Sequence, residues 1–356
     1  VKIGIIGHLK HPIAKPFAGG LETFTDSFVR SLAKRGHDVT LFASGDSDPI
    51  LPLVSIIKRA TVPDSKRRLQ RVHHEWIESV ENEAYASLMA GLAASNFDVI
   101  HNHTLSPLPL AFASTLPMPM ITTLHTPPLP RMVDELAVRG SDNSGAFVNI
   151  SNANAERWQS CISQQTIIYN GVDTSFWKKC HQPKQRRAIW FGRILADKGP
   201  HHAIDAAHAA GLPIDIAGPV ADSEYFDREI QPRLQDTDCY HGHLTHEALC
   251  GLISRSAVAL VTPCWDEPFG LVVAEALACG TPVAGFARGA LPELITPAVG
   301  RLARPGDSSD LARAALQCID INGLACRRIA QKRFGFQRMV DQYESLYARH
   351  HLEAAA

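Results

Sequence analysis

The sequence predicts an α/β protein built of two doubly wound, parallel-sheet domains facing each other across a cleft. Three observations predict it. Short continuous apolar runs alternate with helical patterns, the order that gives parallel sheets covered on both faces. The alternation comes in two blocks, separated by the polar and basic stretch KKCHQPKQRR. The length, 356 residues, suits two domains of roughly 150 residues each.

The first block opens with VKIGIIG, an apolar strand of the kind buried on both faces. A glycine-containing loop follows, then the helical run LETFTDSFVRSLAKRG, stopped at Gly36. HDVTLFAS is the next strand. FDVIHNHT and MPMITTLHTP each read as strand then loop, and GAFVNISNANAERW as strand then helix. The uncharged window TLSPLPLAFASTLPMPMITTL, residues 104–124, is about as long as a membrane span. Four prolines (107, 109, 117 and 119) argue against one helix there, so it reads as loop, short helix, turn and buried strand. Residues 45–97 carry no recognisable motif.

A hinge is expected near residues 174–187. The second block then runs AIWFGRILADKG (strand, loop), PHHAIDAAHAAG (helix), LPIDIAGP (strand), EALCGLISRS (helix) and AVALVTPC (strand). DEPFGLVVAEALACG is the next helix, with Pro268 in its first turn and Gly280 at its end. TPVAGF is strand-like, and SSDLARAALQCI is a helix capped by Ser308 or Ser309. FQRMVDQYESLYARHH closes as an amphipathic helix. The expected domains are residues 1–173 and 174–335, with the helix of 336–356 packing back on the first.

Composition narrows the function. Hydrophobic residues make up 45% and charged residues 20%, and 35 basic residues nearly cancel 36 acidic ones. That is an ordinary globular chain with no general attraction for nucleic acid. None of the eight cysteines forms a CxxC pair and no secretory leader is read, so a reduced, cytoplasmic protein is expected. Seventeen histidines include no HExxH, and no metal site is read. Asp46-Ser47-Asp48 sits in a polar loop after a strand and reads as a turn. No GxGxxG follows the first strand, which disfavours a dehydrogenase. The basic run of residues 58–71 is a candidate for peripheral contact with anionic lipid on the inner face of a membrane, or with a phosphorylated acceptor; the alternative is a solvated face.

The stretch DEPFGLVVAEALACGTPV poses the functional question, because it is apolar yet carries Glu267 and Glu275. In continuous helix the two would stand roughly 12 Å apart along the axis. They cannot share a proton, but can reach two parts of one elongated ligand. Glu275 has only Leu271, Val272, Ala278 and Cys279 at helical spacing, so it needs either an arginine from elsewhere or a ligand donor such as a ribose diol. Backbone N–H groups of Phe269, Gly270 and Leu271 at the helix start suit an anion such as phosphate. Arg193 and Lys198, in the loop FGRILADKG after a strand, could answer a diphosphate.

Taken together, IIYNGVD, FGRILADKG, YHGHLTHEAL and EPFGLVVAEALACGTPVAG followed by LPELI resemble the family 4 glycosyltransferases, over nearly the whole chain from Gly19-Gly20 to the last helix. The resemblance implies the GT-B architecture of two Rossmann-like domains, with the donor held mainly by the C-terminal one. By position it implies that Arg193 and Lys198 bind the donor diphosphate. Glu275 would hold the ribose, and Glu267 the sugar hydroxyls. Phe269, Gly270 and Leu271 would offer backbone contacts, and His243 and Leu244 would line the base pocket. Gly20 would approach the donor from the N-terminal domain, and His125 would lie near the reacting carbon. Gly218 falls in DIAGPVADSEYF, where many members have a GxGP-type loop. HNHT only loosely follows the family's usual strand end.

The activity so implied is a retaining, metal-independent transfer of a hexose from a nucleoside diphosphate sugar to a hydroxyl of a sugar, lipid or small molecule. UDP-glucose is the first donor expectation and GDP-mannose the second. The family is described as using front-face attack, with the leaving phosphate taking the acceptor's proton. A nucleotide-sugar epimerase and a non-catalytic sugar-nucleotide sensor are the rival readings.

Overall fold

The computed structural model describes residues 1–62, 74–139, 145–179 and 183–355. The basic run expected to touch lipid lies, from residue 63 onward, outside these residues, as does part of the expected hinge. The chain forms two compact units. One comprises residues 1–150, 154–168 and 340–356; the other comprises 151–153 and 169–339. The division expected after residue 173 therefore falls at 168/169. Residues 169–173 join the second unit through hydrogen bonds: Val172 N donates to Phe334 O, and Phe336 N to Val172 O.

In the first unit the elements run β1 (Lys2–Ile6), α1 (Gly20–Lys34), β2 (Asp38–Ser44), β3 (Leu53–Ile57), α2 (His74–Leu92), β4 (Val99–Asn102), α3 (Leu108–Ala111), β5 (Met120–Leu124), α4 (Pro130–Arg139), β6 (Ala146–Asn149), α5 (Asn152–Trp158) and β7 (Thr166–Ile167). The seven strands form one parallel sheet in the order β3-β2-β1-β4-β5-β6-β7. α1 forms because Phe24, Phe28, Val29 and Leu32 fall at helical spacing and bury one face. Behind the sheet, Tyr85, Met89, Leu110, Met120 and Trp158 belong to one apolar cluster. The 104–124 window resolves as expected into a loop, the short α3, a turn and β5. Among the described residues no helix is long and apolar enough to cross a membrane.

The second unit runs β8 (Gln185–Phe191), α6 (Pro200–Ala209), β9 (Ile214–Ala217), the single turn α7 (Ser223–Tyr225), β10 (Cys239–Tyr240), α8 (His246–Arg255), β11 (Ser256–Val261), α9 (Leu271–Ala278), β12 (Val283–Phe286), α10 (Leu291–Leu294), β13 (Gly300–Ala303), α11 (Ser308–Cys318) and α12 (Gly323–Phe334). Its sheet is parallel throughout, in the order β10-β9-β8-β11-β12-β13. The last helix, α13 (Phe336–Ala355), enters the first unit at Val340. There Tyr343 and Tyr347 are fully buried and bond Thr123 and His101.

Both sheets reverse strand order once, between β1 and β4 and between β8 and β11. Such switch points open a crevice beyond the carboxyl ends of the strands, where ligands of open α/β sheets bind. Two local expectations are corrected. α9 begins at Leu271, three residues beyond Pro268, so Glu267, Pro268 and Phe269 lie in a loop and the 12 Å helical spacing does not apply. The cap of α11 is Asp307, whose carboxylate accepts from Asp310 N at 2.8 Å, and neither serine fills that place.

Candidate active site

The loops leaving β8 and β11, at the switch point of the second sheet, carry Arg193, Lys198, Glu267, Phe269 and Gly270 of the residues picked out by sequence. They are stitched together by backbone-directed bonds. Trp190 Nε1 donates to Thr262 Oγ1 at 3.1 Å, and that hydroxyl donates to Gly199 O (2.8 Å) and Lys198 O (3.1 Å). Cys264 N donates to Asp197 O at 2.8 Å. The 264–267 segment is held from its far side as well. Arg288 reaches Cys264 O at 2.7 Å and Asp266 at 3.3 Å, and Ala290 N donates to Glu267 O at 2.9 Å. Fixed loops of this kind can hold charged side chains in one geometry at little further entropic cost.

Between them lies one compact charged group. Lys198 Nζ donates to Glu267 Oε2 at 2.5 Å, Trp265 Nε1 donates to the same oxygen at 3.1 Å, and Lys198 Nζ stands 5.1 Å from the Trp265 ring centre. Both charged side chains are partly buried. Arg193, by contrast, is exposed and has no hydrogen bond or ion pair among the described residues. Sequence reasoning gave Lys198 to phosphate and Glu267 to sugar as separate tasks; the structure pairs them. It missed Trp265, and nothing in its spacing marks a tryptophan that contacts both members of the pair.

Gly270 caps α9 in the left-handed region (φ 94°), a conformation that glycine adopts without the Cβ penalty. Val273 N bonds back to Gly270 O. The turn thus starts the helix abruptly and leaves the amides of Leu271 and Val272 at its positive end. The Phe269 side chain is buried against Tyr169 and Phe334 and anchors this loop, so only its backbone is free for a ligand.

Glu275 lies within α9 and finds no hydrogen bond or ion pair among the described residues. The arginine alternative is not what the fold supplies there. Its side chain keeps some accessible surface, yet protein surrounds it closely. Burial, reinforced by negative charge on the Cys250 sulfur, pushes its carboxyl up to about 7. Gly218, at the end of β9, has φ 147°, and a Cβ there would lie 1.8 Å from Gly192 O. Its amide donates to Gly242 O at 2.8 Å. The loops after β8, β9 and β10 are thereby drawn together, and the exposed His243 and half-buried Leu244 follow directly on the last of them.

Gly20 and His125 belong to the first unit. Gly20 is the first residue of α1, after an extended Gly19. Near it, His8 Nε2 lies 2.9 Å from Glu22 Oε1. His125 follows β5, where Asn154 and Trp158 side chains both donate to Thr126 O. His125 Nε2 is 2.9 Å from Nδ1 of the fully buried His103, and Phe24 packs on both rings. His101 is pinned by Tyr347 OH (2.5 Å) and Thr123 Oγ1 (2.8 Å). Burial, and secondarily the charge of His8, takes His125 down to about 3; burial likewise holds His101 and His103 well below the ordinary imidazole range. All three are neutral at pH 7. Sequence assigns His101 and His103 of HNHT no role; the fold shows that they back onto His125.

Comparison with known proteins agrees with this architecture. Residues 18–176 match the model of Glycosyltransferase Family 4, and residues 172–333 match that of Glycosyl transferases group 1. The chain is 27% identical over 377 residues to the glycogen synthase of Mycobacterium tuberculosis H37Rv, covering 92% of this chain and 88% of that one. It is 24% identical to the D-inositol 3-phosphate glycosyltransferase of Mycolicibacterium smegmatis, with 98% and 91% covered. In fold it is similar to the sucrose-phosphate synthase of Thermosynechococcus elongatus (TM-score 0.76, 21% identity, all of both chains). It is likewise similar to Anabaena Alr3699/HepE, solved in complex with UDP and glucose (TM-score 0.74, 17% identity, 98% and 99% covered). With a switch-point site in its second sheet and family models matching both halves from residue 18 to 333, the chain belongs to the family 4 glycosyltransferases, enzymes of the GT-B fold.

Proposed function

We propose that this glycosyltransferase moves a hexose from a nucleoside diphosphate sugar to an acceptor hydroxyl, with retention of configuration and without a divalent metal, and that UDP-glucose is its first donor. The observation that carries the reading is the grouping at one switch point of an unpaired Arg193, the Lys198–Glu267 pair, the amino end of α9 and an unpartnered Glu275.

Each part answers one part of the donor. As the sugar–phosphate bond breaks, negative charge grows on the diphosphate. Arg193 offers a bidentate fork, Lys198 a point charge and α9 its free amides. Sugar hydroxyls donating to Glu267 would take over the place of the ammonium and release Lys198 toward phosphate. Ribose hydroxyls would supply Glu275 with the donors that the fold withholds. His125, neutral at pH 7, would orient the sugar and would not act as a cationic acid. Gly20 would approach the donor from the first unit, and Gly218, His243 and Leu244 would flank the base. The bound UDP and glucose of the Anabaena protein support a UDP-sugar; GDP-mannose is the second expectation. The named relatives are a synthase and transferases, which favours transfer over the epimerase and sensor readings. A cytoplasmic location is part of the same proposal.

The test is donor hydrolysis and transfer by Arg193→Ala and Lys198→Ala in buffer containing EDTA. Each variant is expected to melt as the wild type does and to lose about 10²–10³-fold in kcat/KM, the scale of removing one donor to a developing anion. Wild-type activity should persist in the chelator. Full activity in both variants would remove the diphosphate clamp, and a loss in EDTA that Mg²⁺ or Mn²⁺ restores would overturn metal independence.

A further inference from the structure

We propose that His201, His202 and Cys264 form a binding site for a thiophilic divalent metal ion of the Zn²⁺ class, distinct from the donor-binding groups. His201 and His202 occupy the first turn of α6, and Cys264 lies in the loop after β11. One ligand atom from each side chain lies within 4.8 Å of the other two. A tetrahedral zinc with bonds of 2.0–2.3 Å spaces its ligand atoms by roughly 3.5 Å. Side-chain rotation of about 1 Å is therefore enough to close the set.

The surroundings are arranged as a metal site requires. His201 Nδ1 is 2.5 Å from Tyr225 OH and His202 Nδ1 is 3.1 Å from Ser308 Oγ. Each ring is thus oriented through one nitrogen, and Nε2 is left with no hydrogen bond among the described residues. Metal-binding histidines are commonly oriented in this way. With Nδ1 donating its proton to the neighbouring hydroxyl, each ring would offer the Nε2 lone pair to the ion. Cys264 Sγ makes only a 3.8 Å contact with Thr262 O. Its thiol would release its proton on coordination. Water would complete the coordination.

A second grouping, Asp215, Cys239 and His241, meets the same distance criterion and illustrates the contrary case. There Arg187 already clamps Asp215 at 2.9 and 3.0 Å. A cation entering would have to displace a guanidinium. Arg233 faces the two histidines and Arg288 donates to Cys264 O at 2.7 Å, but among the described residues neither guanidinium bonds a side-chain ligand atom of the His201–His202–Cys264 set. The proposed ion would join the root of the Lys198 turn to the root of the Glu267 loop, which Cys264 N and Asp197 O already link. The metal site stands independently of the donor reading.

Cobalt titration of metal-stripped, tag-free protein tests it. The expected result is one equivalent of Co²⁺ bound with a sulfur-to-cobalt charge-transfer band, displaced by Zn²⁺. Cys264→Ser should abolish the band. His201→Gln and His202→Gln should each weaken binding by about tenfold or more, and Cys239→Ser should leave the band unchanged. Circular dichroism checks that each variant is folded. Absence of the band in folded wild-type protein, or its survival in Cys264→Ser, would overturn the proposal. Its loss in folded Cys239→Ser would do the same.

Discussion

Replacing Glu275 by Gln should stabilise the protein and impair its use of donor, and the size of the gain should depend on pH. The carboxyl is held at about 7 in the fold against an ordinary 4.5. Its folded pKa is raised, so the folded state keeps a proton that the unfolded state sheds as pH rises above 4.5. The favourable contribution of the neutral acid is complete below about pH 4.5 and is lost as pH climbs through 7. Once ionised, the side chain costs the fold up to about 3 kcal/mol, at 1.36 kcal/mol per tenfold. Glutamine has the same shape and no charge, so this cost vanishes. For a unit of this size about 1 kcal/mol moves Tm by 2–4 °C. Melting curves in the absence of nucleotide should therefore show Glu275→Gln above wild type by roughly 6–12 °C at pH 8, with the gap narrowing to about 3 °C or less at pH 5. The same variant should bind UDP-glucose more weakly at pH 8. A Tm difference equal at pH 5 and pH 8, or a variant less stable at pH 8, would refute the view of Glu275 as a carboxylate that the fold leaves uncompensated.

Two other outcomes follow from the structure. His101, His103 and His125 have folded values below the ordinary 6.5. The unfolded chain therefore takes up protons that the fold refuses, and stability is complete above about pH 6.5 and lost as pH falls. Each histidine contributes at most about 1.4 kcal/mol per pH unit below that point. His103→Gln should make the fall in Tm between pH 6.5 and 4.5 shallower, and an unchanged slope would count against the buried ladder. Gly218→Ala would push a methyl to 1.8 Å from Gly192 O at a φ of 147°. It should cost well above the ~1 kcal/mol typical of point changes, and a Tm within 2 °C of wild type would show that the two loops do not touch as described.

The parallel sheets were legible because a strand buried on both faces has to be apolar along its length. VKIGIIG, AIWFG and AVALVTPC could hardly be anything else once helices lay between them. What escaped was what lacks that constraint. β3 is a half-exposed edge strand and β7 and β10 have two residues each, too short for periodicity to register. α2 escaped as well, because its glutamates obscure the apolar side that buries Ile77, Ala84, Tyr85 and Met89. The start of α9 was misplaced because Pro268 fits a first helical turn equally well. Only the left-handed Gly270 shows that the chain must turn before it can wind.

The two carboxylates of the 266–283 stretch show where sequence reasoning stops and why. Glu267 and Glu275 looked alike, two acids in an apolar run, and helical spacing made them a matched pair. Tertiary structure treats them oppositely. Glu267 sits in a loop and receives an ammonium from a turn 69 residues away, so its charge is compensated and can be exchanged for hydroxyls. Glu275 sits inside a helix and receives no hydrogen bond or counter-charge among the described residues. An evolved fold rarely tolerates a carboxylate held at about 7 without using it. Replacing it with a neutral residue would be an easy gain in stability, open to any single mutation. On the proposed donor reading, the hydroxyls of a ribose would supply the donors that Glu275 finds nowhere among the described residues. Glutamine would remove the cost of the charge and, with it, the carboxylate that those hydroxyls would bind.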